Sequence, residues 1–333
     1  MSLASDYYVD ADKSDDTGDG LSWGNAKKHL SAVLALIVEP ITSTITVHLK
    51  STATPYTDNH EARGISFIGE NADALVIQPD VWNQTNYEDG VHDPLGTTGT
   101  GTFDAHAATF PVTLQLKLEL WNCFGVVLKG LHFDGAGGDV GLRLMEKSVA
   151  NALYCRFAGS GAMEIAMMGS LLRTENCDAP DNNVAYIAMA QSQIQFLGDN
   201  IIVDAATVGV FVTSDSIAWV MASGIHHTMD IVTTTPRVKQ YAAMRATAGS
   251  KIYVMDENLS PFTSSYFASL LNIHHNNQVL RKEHFGIVLE SGSLLTGASQ
   301  ISFTKLDSKG ETVPVPEDQA IVEKEGEKTT KIE

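Results

Sequence analysis

The chain has 333 residues, 44% of them hydrophobic and only 19% charged, with a formal net charge of −18. So acidic a surface repels phosphate backbones and anionic lipid, which argues against nucleic acid and membrane as partners. No run of about 18 apolar residues is present to span a bilayer as a helix, and three cysteines (Cys123, Cys155, Cys177) offer neither a disulfide framework nor a Cys-x-x-Cys metal pair.

The first 25 residues are polar and rich in Asp and Gly, without the basic and apolar regions of a secretory leader. Asp10, Asp12, Asp16 and Asp19 supply carboxylates at a density suited to Ca²⁺. Leu21 stands where an EF-hand would place its bidentate Glu, so the competing reading is a solvated turn. Residues 25–37 are apolar at helical spacing, with Asn25 as N-cap and Pro40 as stop. Residues 1–40 therefore read as an N-terminal loop and a short capping helix over the open end of a strand-rich region.

From Ile45 onward one strand signal succeeds another, at 45–49, 65–68, 74–77, 126–128 and 131–133. Stretches near 80–111, 229–240 and 256–283 lack that alternation and read as lateral insertions. Beyond Leu306 the composition turns to Glu, Lys and Pro, so 307–333 is expected to be an extended or disordered tail.

Six segments align on a serine: Ser148, Ser170, Ser192, Ser216, Ser250 and Ser293, at spacings of 22, 22, 24, 34 and 43. A period in the low twenties with strand-like residues at each anchor marks a solenoid, the last two spacings being the same unit with insertions. With serine as position zero, +2 holds Ala150, Leu172, Ile194, Ala218, Ile252 and Leu295, and +4 holds Ala152, Thr174, Phe196, Val220, Val254 and Gly297. Alternation puts both columns on one face, and their apolar character makes that face the inside. Position −4 (Leu144, Ala166, Ala188, Val212, Ala246, Leu289) belongs to a second strand. A third strand is marked by Phe133, Phe157, 201–203 and Ile225. Three strands per coil predict an all-β, single-stranded parallel β-helix over 41–306. Cys155 and Cys177, each seven residues after a ladder serine, should stack on successive coils as buried thiols.

Position +3 then faces outward, and holds Asn151, Arg173, Gln195, Trp219 and Tyr253. Such a column suits a carbohydrate chain: rings pack on a pyranose face while amides and Arg bond hydroxyls and carboxylates. The competing reading packs Trp219 and Tyr253 beneath the 229–240 insertion. Column +1 (Val149, Leu171, Gln193, Ile217, Lys251, Leu294) is too apolar for a solvated face, so cover by a loop or by further subunits, as in a homotrimer, is expected.

For catalysis the candidates are Glu175, Asp199 and Asp204. Glu175 and Asp199 lie one coil apart and two positions along, with Asp178 near. Diagonal sheet neighbours fall at about 7–8 Å, within the roughly 6.5–9.5 Å of an inverting glycosidase pair. Acidic residues are abundant enough for such a pair to arise by chance. His226-His227 and His274-His275 offer imidazoles at similar places in their coils, against the commoner reading of surface turns. No nucleophile elbow, P-loop, zinc motif or dinucleotide fingerprint is present.

Tyr7-Tyr8-Val9-Asp10, Gly18-Asp19-Gly20-Leu21-Ser22-Trp23, Ala26, Leu30 and Ala35-Leu36 resemble the opening of many right-handed β-helix proteins of the pectate-lyase-like superfamily. That opening is frequent in phage tailspikes and tail fibres and in bacterial surface polysaccharidases. Residues 122–133 look like a coil of the same superfamily. The resemblance spans most of 5–306 and implies a right-handed helix. The catalytic Arg and Ca²⁺-binding acids of the pectate lyases, and the Asp pairs of the polygalacturonases, have no assignable match. The expected function is a phage virion or surface-attached spike or fibre, located in the virion or outside the cell. It would recognise bacterial surface polysaccharide as a homotrimer, beside other virion proteins. The alternatives are a polysaccharide hydrolase or lyase acting in a lateral groove, and a purely structural scaffold or virion decoration. Ca²⁺ is the one cofactor for which the residues offer ligands.

Overall fold

Two successive residues with left-handed backbone stand before every ladder serine: Glu146-Lys147, Met168-Gly169, Ala190-Gln191, Ser214-Asp215, Ala248-Gly249 and Ser291-Gly292, with φ between 51° and 78°. A pair of positive φ values turns the chain sharply, which is why glycine occupies the second position in three of the six. At Gly249 a Cβ would also stand 2.5 Å from Asp215 Oδ1. The serine after each pair is buried in all six coils. In five of the six its hydroxyl accepts the N–H of the preceding coil's corner residue: Cys123 to Ser148 at 3.0 Å, Ser148 to Ser170 at 3.1 Å, Ser170 to Ser192 at 3.2 Å, Ser192 to Ser216 at 3.1 Å and Ser216 to Ser250 at 3.3 Å. The ladder thus satisfies buried amides at the corner where sheet pairing stops.

A second corner repeats the device. Tyr154 and Asn176 have φ of 54° and 53°, and the residues after them form a shorter ladder. Cys155 N–H donates to Cys177 Sγ at 3.4 Å, and Cys177 N–H to Asn200 Oδ1 at 3.2 Å. All three cysteines are buried thiols outside any disulfide. Burial first, then the neighbouring Cys155 thiol, raises the Cys177 pKa well above the usual thiol value, so Cys177 is an inert structural group. The two thiols stack on successive coils as the sequence implies.

The computed structural model describes residues 3–37, 41–65, 74–81, 112–115, 117–135, 141–158, 162–164, 167–180, 184–197, 200–203, 208–221, 225–229, 241–255, 271–275, 284–297, 301–307, 309, 311–316, 320–324 and 331–332. Between the corners lie three walls of strands. The first wall is an eleven-stranded sheet running from Asp6–Val9 through Ile45–Leu49, Leu75–Pro79, Phe124–Lys129 and Val149–Leu153 to Lys331–Ile332. The second has nine strands, and the third is a three-stranded and a six-stranded sheet in succession. Coil-to-coil pairing is parallel, in register as in Ala150↔Leu172 and Leu172↔Ile194, with shifts at Val149/Ala150 and at Ala162/Glu164. This is the parallel β-helix that the ladder predicts. Columns +2 and +4 are buried in the bore, apart from half-buried Gly297. Phe133 stacks on Phe157 at 5.0 Å, and Tyr186 joins Phe157 and Phe196 edge-on at 6.2 and 5.1 Å.

The N-terminal region differs from expectation. The α-helix is Leu30–Leu34 rather than 25–37, its N-cap is His29, and no side chain on that residue caps it. Residues 20–27 instead run along the open edge of Asp6–Val9. Tyr8 N–H donates to Gly20 O at 2.8 Å, Lys27 N–H to Tyr8 O at 3.1 Å and Asp10 N–H to Lys27 O at 2.8 Å. Helical spacing of apolar residues was real, but edge amides without partners compete for the same backbone and win.

Two further boundaries move. The 256–283 stretch contains Leu271–His275, a strand of the second wall paired with Ile225–Met229. Beyond Leu306 the chain continues the solenoid: Thr312–Pro314 pairs antiparallel with Ile301–Leu306, while Ile321–Lys324 and Lys331–Ile332 add parallel strands. Val315, Ala320 and Ile321 are buried there, apolar contacts that a Glu- and Lys-rich composition hides. Residues 82–111 and 230–240 of the other insertions lie outside the described residues.

Candidate functional site

The outward +3 column is continuous. Asn151, Arg173, Gln195, Trp219, Tyr253 and Thr296 are Cα partners from strand to strand. At the usual spacing of parallel strands, the five residues from Asn151 to Tyr253 span about 19 Å along the axis. Arg173 is exposed, and the other four are half-buried. Arg173 Nε donates to Gln195 Oε1 at 2.8 Å, which orients the guanidinium and leaves its two Nη groups outward.

Trp219 and Tyr253 stack with centroids 4.3 Å apart and planes 19° apart. Since in-register neighbours are displaced along the solenoid axis, these rings spend a face on each other and turn their edges outward. That differs from the expectation of ring faces laid open for a pyranose: the two rings turn edges outward. Trp219 Nε1 and Asn151 Oδ1 are both buried without a hydrogen-bond partner. An unmet donor or acceptor of this kind costs about 1–3 kcal/mol.

In column +1, Val149, Leu171, Gln193, Ile217 and Leu294 are half-buried and Lys251 is exposed. Val76 and Val127, in the outward +3 column of earlier coils, are fully covered. The outer face is therefore open only over part of its length.

Glu175 lies two residues beyond Arg173 on the same strand, between Leu153 and Leu197 in its column. Asp199 and Asp204 lie outside the described residues, and Asp178 belongs to the second wall, paired with Arg156 and Ile201. The paired-carboxylate arrangement thus has one located member.

Asp10, Asp12, Asp16 and Asp19 do not converge. Asp10 bonds Lys50 Nζ at 2.8 Å and accepts from Asp12 N–H at 3.0 Å. Asp12 accepts from Thr52 and Thr54 hydroxyls at 2.8 and 2.6 Å. Those two bonds, Thr54 first, hold its pKa below the ordinary carboxylate value. Asp16 accepts the N–H groups of Lys28 and His29 at 2.8 and 2.9 Å and meets His29 Nδ1 at 2.6 Å, while Asp19 accepts from Leu21 N–H at 2.9 Å. Among the described residues no group of three or more His, Cys, Asp or Glu is placed to hold a metal. Lysine, hydroxyls and backbone amides take up the oxygens expected to face Ca²⁺. Nor are the histidine pairs aligned: His226 faces Asn272, and His274 faces Thr228.

One cluster has no signal in the sequence, because its members are far apart in the chain. His60 is fully buried, with Nδ1 3.2 Å from Asp58 Oδ2. Ser31 donates its hydroxyl at 2.5 Å and its amide at 3.2 Å to the same oxygen. Serine bonds the carboxylate rather than the imidazole, so this is a tie for the Leu30–Leu34 helix and not a nucleophile. Burial works to raise the Asp58 pKa, but His60 and then Ser31 outweigh it and hold it at about 2. A folded pKa below the unfolded one gives stability that is present above about pH 4 and lost as pH falls through 2, here about 2 kcal/mol. Hydrogen exchange should therefore show the amides of residues 30–34 losing protection between pH 4 and 2. In Asp58→Asn that loss should already be present at pH 7; equal protection in the variant would refute the tie.

No protein-family model matches the chain, and no curated protein does. Solved structures of similar layout include a pectin methylesterase from carrot, with TM-score 0.46 and 10% identity over 98% of this chain and 90% of that one. Escherichia coli YbhC has TM-score 0.32 and 10% identity over 90% of this chain and 75% of that one. A pectin methylesterase in complex with a hexasaccharide has TM-score 0.32 and 10% identity over 96% and 89%. At this identity no residue role passes from those proteins to the chain.

Proposed function

We propose that the chain is a polysaccharide-binding β-helix that holds an extended glycan along the outer face of its first wall. The supporting observation is the unbroken +3 column, in which Asn151, Arg173, Gln195, Trp219 and Tyr253 lie in register. Recognition runs through the exposed Arg173, whose Nη groups bond sugar oxygens while its Nε is held by Gln195. The setting proposed is a spike- or fibre-like homotrimer on a virion or cell surface, its apolar +1 column lying against neighbouring subunits.

Calorimetry against a panel of bacterial capsular and O-antigen polysaccharides tests the binding. Arg173→Ala should weaken the affinity about 10–100-fold, the value of one or two charge-assisted hydrogen bonds. Unchanged affinity would remove the column from the site. A monomer in light scattering would remove the trimer. Cleavage in the same groove is the second reading, favoured by Glu175 beside Arg173. New reducing ends or unsaturated products that vanish in Glu175→Gln would establish it, and none from a bound glycan would exclude it.

A further inference from the structure

We infer that the chain carries a second saccharide subsite, centred on Trp23 at the N-terminal end of the same outer face, which takes a neutral, hydroxyl-rich sugar. The inference rests on the glycan-binding reading for its ligand class, but on different residues and a different geometry.

Tyr8 and His48 are register partners in the first two strands of the wall. Their rings stack at 5.2 Å with an 18° interplanar angle, the same arrangement along the axis as Trp219 on Tyr253. Trp23 breaks that arrangement. It meets Tyr8 at 4.9 Å with planes 68° apart, so it lies across the stack rather than in it. Among the described residues no ring lies parallel on the indole. It is 37% exposed, and Leu21 beside it is 50% exposed. The strap that carries both is held at Gly20 and Lys27 by the edge of the first strand, so the platform stands on fixed backbone rather than on a free loop.

Polar groups stand on the far side of Tyr8 from it, around the His48 ring that stacks on Tyr8. Asp6 Oδ1 meets His48 Nε2 at 2.9 Å, and Asp6 Oδ2 accepts the Ser5 hydroxyl at 2.6 Å. These bonds, Ser5 first and His48 second, hold the Asp6 pKa below its ordinary value. A carboxylate that stays ionised accepts from sugar hydroxyls and repels uronates. Asp6 is also the first member of the outward column that leads, through Thr46, Val76 and Val127, to Asn151. That separation is four strand spacings, about 19 Å. Val76 and Val127 are covered, so one sugar chain cannot lie flat from Trp23 to Arg173. The two places are separate subsites.

Full-length protein labelled with 5-fluorotryptophan, its Trp23 and Trp219 signals assigned by single Trp→Phe variants, allows both to be watched in one ¹⁹F NMR titration. The probes are the polysaccharides that bind in calorimetry, together with laminarin, dextran and mannan oligosaccharides as neutral sugars and polygalacturonate as an acidic one. The Trp23 signal should move with a neutral glycan, should still move in Arg173→Ala, and should stay in place with polygalacturonate. Trp23→Ala should weaken that neutral glycan about tenfold, with Trp23→Phe keeping most of the affinity. A bound glycan that moves Trp219 and leaves Trp23 unmoved overturns this subsite and leaves the first reading standing. Movement of Trp23 that disappears in Arg173→Ala also overturns it, since the subsite would not be independent. Movement with polygalacturonate alone overturns the neutral-sugar assignment. If nothing in the panel binds, both readings fall. The fluorine readout keeps an indole at positions 23 and 219, so the titration does not depend on the stability of the Trp23→Ala variant.

Discussion

Phe196→Ala is expected to lower stability by about 3–5 kcal/mol. Phe196 is fully buried at position +4 of its coil, paired along the bore with Thr174 and Val220. Its ring meets Tyr186 edge-on at 5.1 Å, and through Tyr186 it closes the aromatic stack that begins at Phe133. The walls around it are strands at fixed hydrogen-bonded spacing, tied at the corners by the serine ladder, so they cannot move inward to fill the space. Phe196→Leu should recover most of the loss. Urea unfolding followed by circular dichroism measures both, and a loss below about 1 kcal/mol for the alanine variant would mean that the bore collapses. Because a solenoid can unfold by segments, the transition should be followed at more than one wavelength.

Gly18→Ala should act as strongly, but locally. A Cβ at that position would stand 2.1 Å from Asn25 O and 2.6 Å from Asn25 C. Both are backbone atoms, so the strap itself must shift. It cannot do so and keep Gly20 O and Lys27 on the edge of the first strand. Losing those bonds and the cover they give is expected to cost about 2–4 kcal/mol in the first coil. The amides of Tyr8 and Asp10 should lose most of their hydrogen-exchange protection, while those of Leu171–Glu175 and Gln193–Leu197, several coils away, keep theirs. Trp23 would lose its support in the same event. Undiminished protection at Tyr8 would show that the strap does not seal the edge.

Much of the architecture is legible in the chain itself. Serines in step with apolar residues at +2 and +4 predict the coil, the bore and the outward column, and each is where the alternation puts it. Cys155 and Cys177 are the stacked, buried thiols that their equal offsets imply. The failures are of one kind. The N-terminal part of the helix expected over 25–37 joined a strap, Asp10 and Asp12 were taken up by Lys50, Thr52 and Thr54, and the tail joined the solenoid. In each case a deciding partner is remote in the chain, on a neighbouring coil or across the end of a sheet, although the turn-like bonds of Asp10 and Asp19 to nearby amides are the local ones the sequence also allowed.

What the sequence alone determined is the repeat and the order of side chains along each column, since strand alternation and a constant period act within one coil. Only the tertiary structure decided how planar groups in a column meet. Stacked strands bring Trp219 onto Tyr253 face to face and leave their edges outward, whereas Trp23, on a strap crossing the end of the sheet, is free of that constraint and turns across Tyr8.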